Sequence, residues 1–179
     1  MSKKLYYLTI FSTILSIKAN ASSQTVSDIG RWGIPLYALG MSVAEPTSEG
    51  VNQLFISAIG AQIASEFLKK VTQEKRPDYT PGKRKESFPS GHAVGAFSGA
   101  MFIHKRYGLE YAVVPYMIAT YTGYQRVDAK RHHVHDVVAG AGLAALFTWA
   151  FVSKYDKSNN QISFAMDKDV QKIEYKTTF

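Results

Sequence analysis

The stretch PSGHAVGAFSGAMFIH, residues 89–104, opens like a helix and then packs like one. Ser90 is a good N-cap residue, since its side-chain oxygen can accept from a free amide of the first turn. Behind it, Gly91, Gly95 and Gly99 recur every four residues, with Ala96 and Ala100 beside them. That spacing predicts a helix over Gly91–His104 with one side small enough for a neighbouring backbone to come close. Gly140 and Ala144 repeat the spacing within Val137–Ala145, which predicts that these two helices touch and bring their N-terminal ends together.

Working outward, apolar residues at helical spacing predict a helix over Val51–Lys70, another over Tyr111–Tyr124 with Pro115 in its first turns, and a last over Val134–Ser153. Trp32–Ala44 is apolar but interrupted by Pro35 and glycines, and residues 45–50 (EPTSEG) read as a loop. Thr72–Ser87 is a polar loop carrying Pro77, Pro81 and Gly82, and its basic run Lys83, Arg84 and Lys85 reads as solvated. These elements describe an all-α fold, a bundle of about five to six helices with a functional site at one end. From Tyr155 to Phe179 the chain turns polar. Alternation in Ile162–Met166 and Ile173–Tyr175 makes this segment either a short β-hairpin or a tail.

The N-terminus is expected to lie outside the fold. Lys3 and Lys4 precede an apolar run from Leu5 to Ile17, followed by Ala19, Asn20 and Ala21. A basic start, a short apolar core and an A-x-A exit describe a signal peptide over residues 1–21. The expected organisation is therefore a leader, one helical domain over 22–154, and the polar segment 155–179. Without the leader the chain carries 18 basic and 14 acidic residues, a surplus too small to argue for nucleic-acid binding. There is no cysteine, which excludes disulfides, thiolate metal sites and thiol nucleophiles. The apolar runs are short for membrane spans and the mean hydropathy is −0.12, yet aromatics such as Trp32, Tyr111 and Trp149 sit near the run ends. Membrane association is the favoured reading.

Three polar clusters fall at the mouths of predicted helices. Lys69 and Arg76 end one helix, Pro89–His92 opens the next, and Arg126, His132 and Asp136 lead into the last. Lys69, Arg76 and Arg126 can surround one anion, and arginine forks fit phosphate oxygens. The amides following Ser90 face an anion at a helix start, and His92 stands in that first turn to give or take a proton. Four residues separate His132 from Asp136, so the carboxylate can hold one imidazole nitrogen and leave the other nucleophilic. Such a constellation performs phosphoryl transfer without a metal. His132, His133 and His135 together also resemble a metal-binding run, but adjacent side chains diverge, and no metal or cofactor is expected.

Lys69-x6-Arg76-Pro77, Pro89-Ser90-Gly91-His92 and Arg126-x5-His132-x3-Asp136 together resemble the three-part signature of the type 2 phosphatidic acid phosphatase superfamily. That group holds lipid phosphate phosphatases, bacterial non-specific acid phosphatases and vanadium haloperoxidases. The resemblance covers roughly Lys69 to Ala145. It implies a phosphohistidine intermediate at His132, with Asp136 holding its tautomer and His92 protonating the leaving oxygen. It implies phosphate binding by Lys69, Arg76, Ser90, Gly91 and Arg126. One departure is Gln125, where the family usually has serine, which bears on substrate positioning. The expected activity is hydrolysis of a phosphomonoester or pyrophosphate on a lipid or lipid carrier, on the periplasmic side of a bacterial envelope. A soluble periplasmic acid phosphatase of broad specificity is the alternative.

Overall fold

A computed structural model describes residues 23–82 and 86–156, and the backbone of 162–167 and 170–175. The proposed leader and the basic run 83–85 lie outside the described residues. Five helices occur among them: α1 Ser23–Val43, α2 Glu49–Thr72, α3 Gly91–Tyr107, α4 Leu109–Asp128 and α5 Val134–Phe151. Two strands, β1 Ile162–Asp167 and β2 Val170–Tyr175, pair antiparallel with Ile162 opposite Tyr175. The all-α bundle is therefore as expected, and the polar segment takes the hairpin alternative.

α1 differs most from expectation, because it runs unbroken through Pro35. Proline cannot donate to the carbonyl four residues back, and here that Arg31 carbonyl lies against Gly95. A Cβ on Gly95 would come within 3.0 Å of it, and one on Gly99 within 2.7 Å of Pro35 N. The glycine stripe of α3 thus receives α1. α3 and α5 do touch, but through Gly140, where a Cβ would meet Ser90 O at 2.8 Å and Ala93 Cβ at 3.1 Å. Gly108, at φ 112°, lets α4 begin one residue after α3 ends. Ile34, Ala38, Leu54, Phe102, Ile103 and Ala119 form the heart of the core.

Two helices, α2 and α5, are sorted inside out relative to those of a water-soluble protein. The buried residues of α2 are Gly50, Leu54, Ser57, Ala61, Ser65 and Lys69. Its outer face carries Phe55, Ile56, Ile59, Ile63 and Phe67, each about half exposed or more. α5 repeats the scheme, with Asp136, Gly140, Ala144 and Thr148 buried and Val134, Val138, Leu146 and Trp149 outside. A soluble amphipathic helix does the reverse. Among the described residues, α5 is long and apolar enough to cross a membrane.

Candidate active site

The C-terminal end of α2 and the N-terminal ends of α3 and α5 meet, as the sequence predicts. Lys69 is buried at the end of α2, where its ammonium donates to Ser65 Oγ at 3.1 Å and pairs with Glu66 at 2.8 Å. It stands against the start of α3, since a Cβ on Gly91 would lie 3.2 Å from Lys69 Nζ. Ser90 caps α3 by accepting from Ala93 N, and its own N–H donates to the Asp136 carbonyl at 2.9 Å. That bond ties the mouth of α3 to the first turn of α5. Arg76 enters from the loop after α2, with Nε donating to the Glu86 carbonyl at 3.3 Å.

α4 supplies Arg126, and a tight turn returns the chain to it. The amides of Arg131 and His132 both donate to the Arg126 carbonyl, at 3.0 and 3.1 Å, while Lys130 adopts φ 54°. This turn is the physical content of the five-residue spacer: it folds His132 back over the end of the helix that carries Arg126. Both side chains are buried, and Arg126 Nε has no hydrogen-bond partner among the described residues.

His132 and Asp136 do not share a helix, because α5 starts at Val134. The pair bridges a loop and a first turn, with Nδ1 3.5 Å from Oδ2. This is ion-pair range rather than a hydrogen bond. Oδ2 is already engaged, accepting from the Ser87 hydroxyl and from His133 N at 2.7 Å. Hydrogen bonds of this kind often tighten only once substrate is bound. Burial, with Arg76 and Arg126 close by, pushes the His132 imidazole below its ordinary value, against the pull of Asp136. His133 and His135 do not diverge from the pair as expected, since His133 Nδ1 lies 3.6 Å from Asp136 Oδ2 and His135 Nε2 lies 3.2 Å from Asp136 Oδ1. They stack on each other with centroids 5.1 Å apart and face Glu74.

Three residues of the site escape the sequence reading. Asp28, on α1, places Oδ1 2.8 Å from His92 Nε2. Gln24, one turn earlier, accepts from Arg126 at 2.8 Å and donates to Asp28 at 3.2 Å. Ser87, fully buried, anchors Asp136. Ser87 stands three residues before Ser90 in the loop, yet no local spacing marks Asp28 or Gln24. The only available signal is that Asp28 is a lone acid in an otherwise apolar and small-residue stretch. Gln125, the departure from the family pattern, is buried and donates to Tyr121 Oη at 2.7 Å.

Known proteins resemble this chain in sequence and in fold. The sequence model of the PAP2 superfamily matches residues 50–160. The lipid A 4'-phosphatase of Helicobacter pylori is 29% identical over 143 residues, which cover 74% of this chain and 70% of that protein. The lipid A 1-phosphatase of Porphyromonas gingivalis is 39% identical over 74 residues, 40% of this chain but 16% of that protein. The crystal structure of Aquifex aeolicus LpxE shares the fold at a TM-score of 0.61 and 18% identity, over 78% of this chain and 92% of that one. With the family model spanning more than half its length and all three clusters gathered at one end of the bundle, the chain belongs to the PAP2 superfamily and is a phosphoric ester hydrolase.

Proposed function

We propose that this chain is a metal-independent lipid phosphatase in which His132 attacks the phosphorus of a phosphorylated lipid. The observation that carries the reading is the convergence of Lys69, Arg76, Arg126 and the capped start of α3 around the buried His132. In the proposed reaction the ring nitrogen of His132 not facing Asp136 forms the bond to phosphorus. The bond to the leaving oxygen breaks, and His92 delivers a proton to that oxygen. Water, giving a proton back to His92, then cleaves the phosphohistidine and releases phosphate. Asp136 holds the imidazole in one tautomer throughout. The three cations and the helix-start amides carry the charge on the non-bridging oxygens, where most of the rate of phosphoryl transfer arises. Asp28 orients His92, whose proton transfer is worth about 10²–10⁴-fold.

The lipid substrate and the envelope location rest on two supports. Two relatives are named lipid A phosphatases. The outward faces of α2 and α5 are built of large apolar side chains over small buried ones, which suits lipid on the outside. On this reading the bundle sits in the bilayer with the site near one interface, facing the periplasm after export. A broadly specific soluble phosphatase would leave those faces in water.

The purified chain in detergent micelles should be offered a phosphorylated glycolipid, phosphatidic acid, a prenyl pyrophosphate and p-nitrophenyl phosphate. Lipid substrates should exceed the soluble ester at least about tenfold in kcat/KM, since acyl contacts contribute binding that the small ester lacks. Preference for the soluble ester contradicts the lipid assignment.

A further inference from the structure

Beside the phosphate site, on the far side of Asp136, four metal-ligating side chains gather that the proposed reaction does not use as a group. They are Glu74 from the loop after α2, His133 at the cap of α5, and His135 and Asp136 from its first turn. One ligand atom from each lies within 4.8 Å of every other. His135 Nε2 is 2.7 Å from Glu74 Oε1 and 3.2 Å from Asp136 Oδ1, and His133 Nδ1 is 3.5 Å from Glu74 Oε1. Zinc bonds of about 2.0–2.1 Å in tetrahedral geometry place neighbouring ligands about 3.3 Å apart, inside this range.

Ion pairing within the cluster leaves part of it unexplained. His133 Nδ1 lies 3.6 Å from Asp136 Oδ2 and Asp136 Oδ1 lies 3.2 Å from His135 Nε2, yet both buried atoms lack a hydrogen-bond partner among the described residues, and Asp136 is wholly buried. Buried polar atoms are rarely left so. Asp136 divides its labour: Oδ2 holds Ser87, His133 N and the approach to His132, while Oδ1 points to the His135 side. Glu74 is fixed from behind, since its carbonyl accepts from Ser87 N at 2.8 Å. Phe88 packs near the His135 ring, with centroids 6.0 Å apart. Two imidazoles and two carboxylates favour a borderline transition ion over magnesium or calcium, which prefer all-oxygen sites.

We propose that Glu74, His133, His135 and Asp136 bind one zinc-class divalent cation, and that its binding slows phosphoryl transfer by drawing the Asp136 carboxylate away from His132. The binding stands independently of the phosphatase reading; the slowing rests on it.

The test uses untagged, EDTA-treated full-length protein and its Glu74→Gln/His135→Asn double variant, neither residue belonging to the catalytic machinery. Equilibrium dialysis against zinc chloride should find one ion per wild-type chain and roughly 100-fold weaker binding in the variant. Basal turnover should be similar in both, with zinc lowering it several-fold in the wild type alone. Equal zinc affinity in the two proteins, with matching circular dichroism spectra, overturns the site. Stoichiometric zinc with unchanged wild-type turnover overturns the coupling. Turnover lost to EDTA and restored by zinc overturns the inhibitory role and the metal-free reaction together. Absence of turnover on every phosphate tested contradicts the phosphatase reading and leaves the dialysis result to judge the site.

Discussion

At the C-terminal end of α3, Arg106 is wholly buried and each arm of its guanidinium is bonded. Nε and one terminal nitrogen donate to the two oxygens of Glu45, at 2.7 and 2.6 Å, and the other terminal nitrogen reaches Gln53 and the Ser153 carbonyl. Tyr107 donates to the same carboxylate at 2.6 Å. At the N-terminal end of α3 the buried charge is just as dense, yet Arg126 Nε, His132 Nδ1, His133 Nδ1 and Asp136 Oδ1 have no hydrogen-bond partner among the described residues. A structural network closes on itself, because each unpaired buried group costs about 1–3 kcal/mol. A ligand site keeps groups open for what it binds. Saturation, rather than charge, separates the latch from the site.

That contrast can be broken at either end. Asp136→Asn should lower kcat by about 10²–10⁴-fold with a smaller change in KM, because it disturbs tautomer and orientation rather than the phosphate clamp. A change confined to KM breaks the assignment.

Arg106→Met should do the opposite, leaving turnover per folded molecule unchanged while removing about 3–5 kcal/mol of stability, since Glu45 is left buried without its partner. In detergent this is a fall in Tm of about 10 °C or more. The same latch sets an acid limit. Burial raises the Glu45 pKa, but Arg106 and Tyr107 outweigh it and hold the carboxyl below its ordinary 4.5. Its contribution is therefore complete above pH 4.5 and is lost as pH falls through the lower folded value. Thermal unfolding below pH 4.5 should show that loss in the wild type and not in the variant.

Asp28→Asn is the mildest change, about tenfold in kcat. The loss should shrink with p-nitrophenyl phosphate, whose leaving group needs little protonation, whereas a merely structural role for Asp28 would penalise both substrates alike.

The legible parts of this molecule were local. Helix spacing and the cap at Ser90 place α3, and the spacers around Arg126 and His132 reflect a single turn whose amides return to one carbonyl. Long-range partners leave no such trace. Asp28 meets His92 across 64 residues and Glu45 meets Arg106 across 61, with nothing in either neighbourhood to announce the other. Periodicity identifies a stripe on α2 but not which way it faces, so the outward turn of Phe55, Ile59, Ile63 and Phe67 becomes visible only once Ser57, Ala61 and Ser65 are seen inside. Pro35 suggests a break in α1, but the glycines of α3 accommodate its backbone and the helix continues.

The most direct test of the account is a rapid-quench experiment with substrate carrying labelled phosphate. The account predicts transient label on the peptide containing His132, stable in alkali, released by acid and absent from His132→Ala. Sustained turnover by His132→Ala, or label recovered on a serine or carboxylate instead, would contradict it.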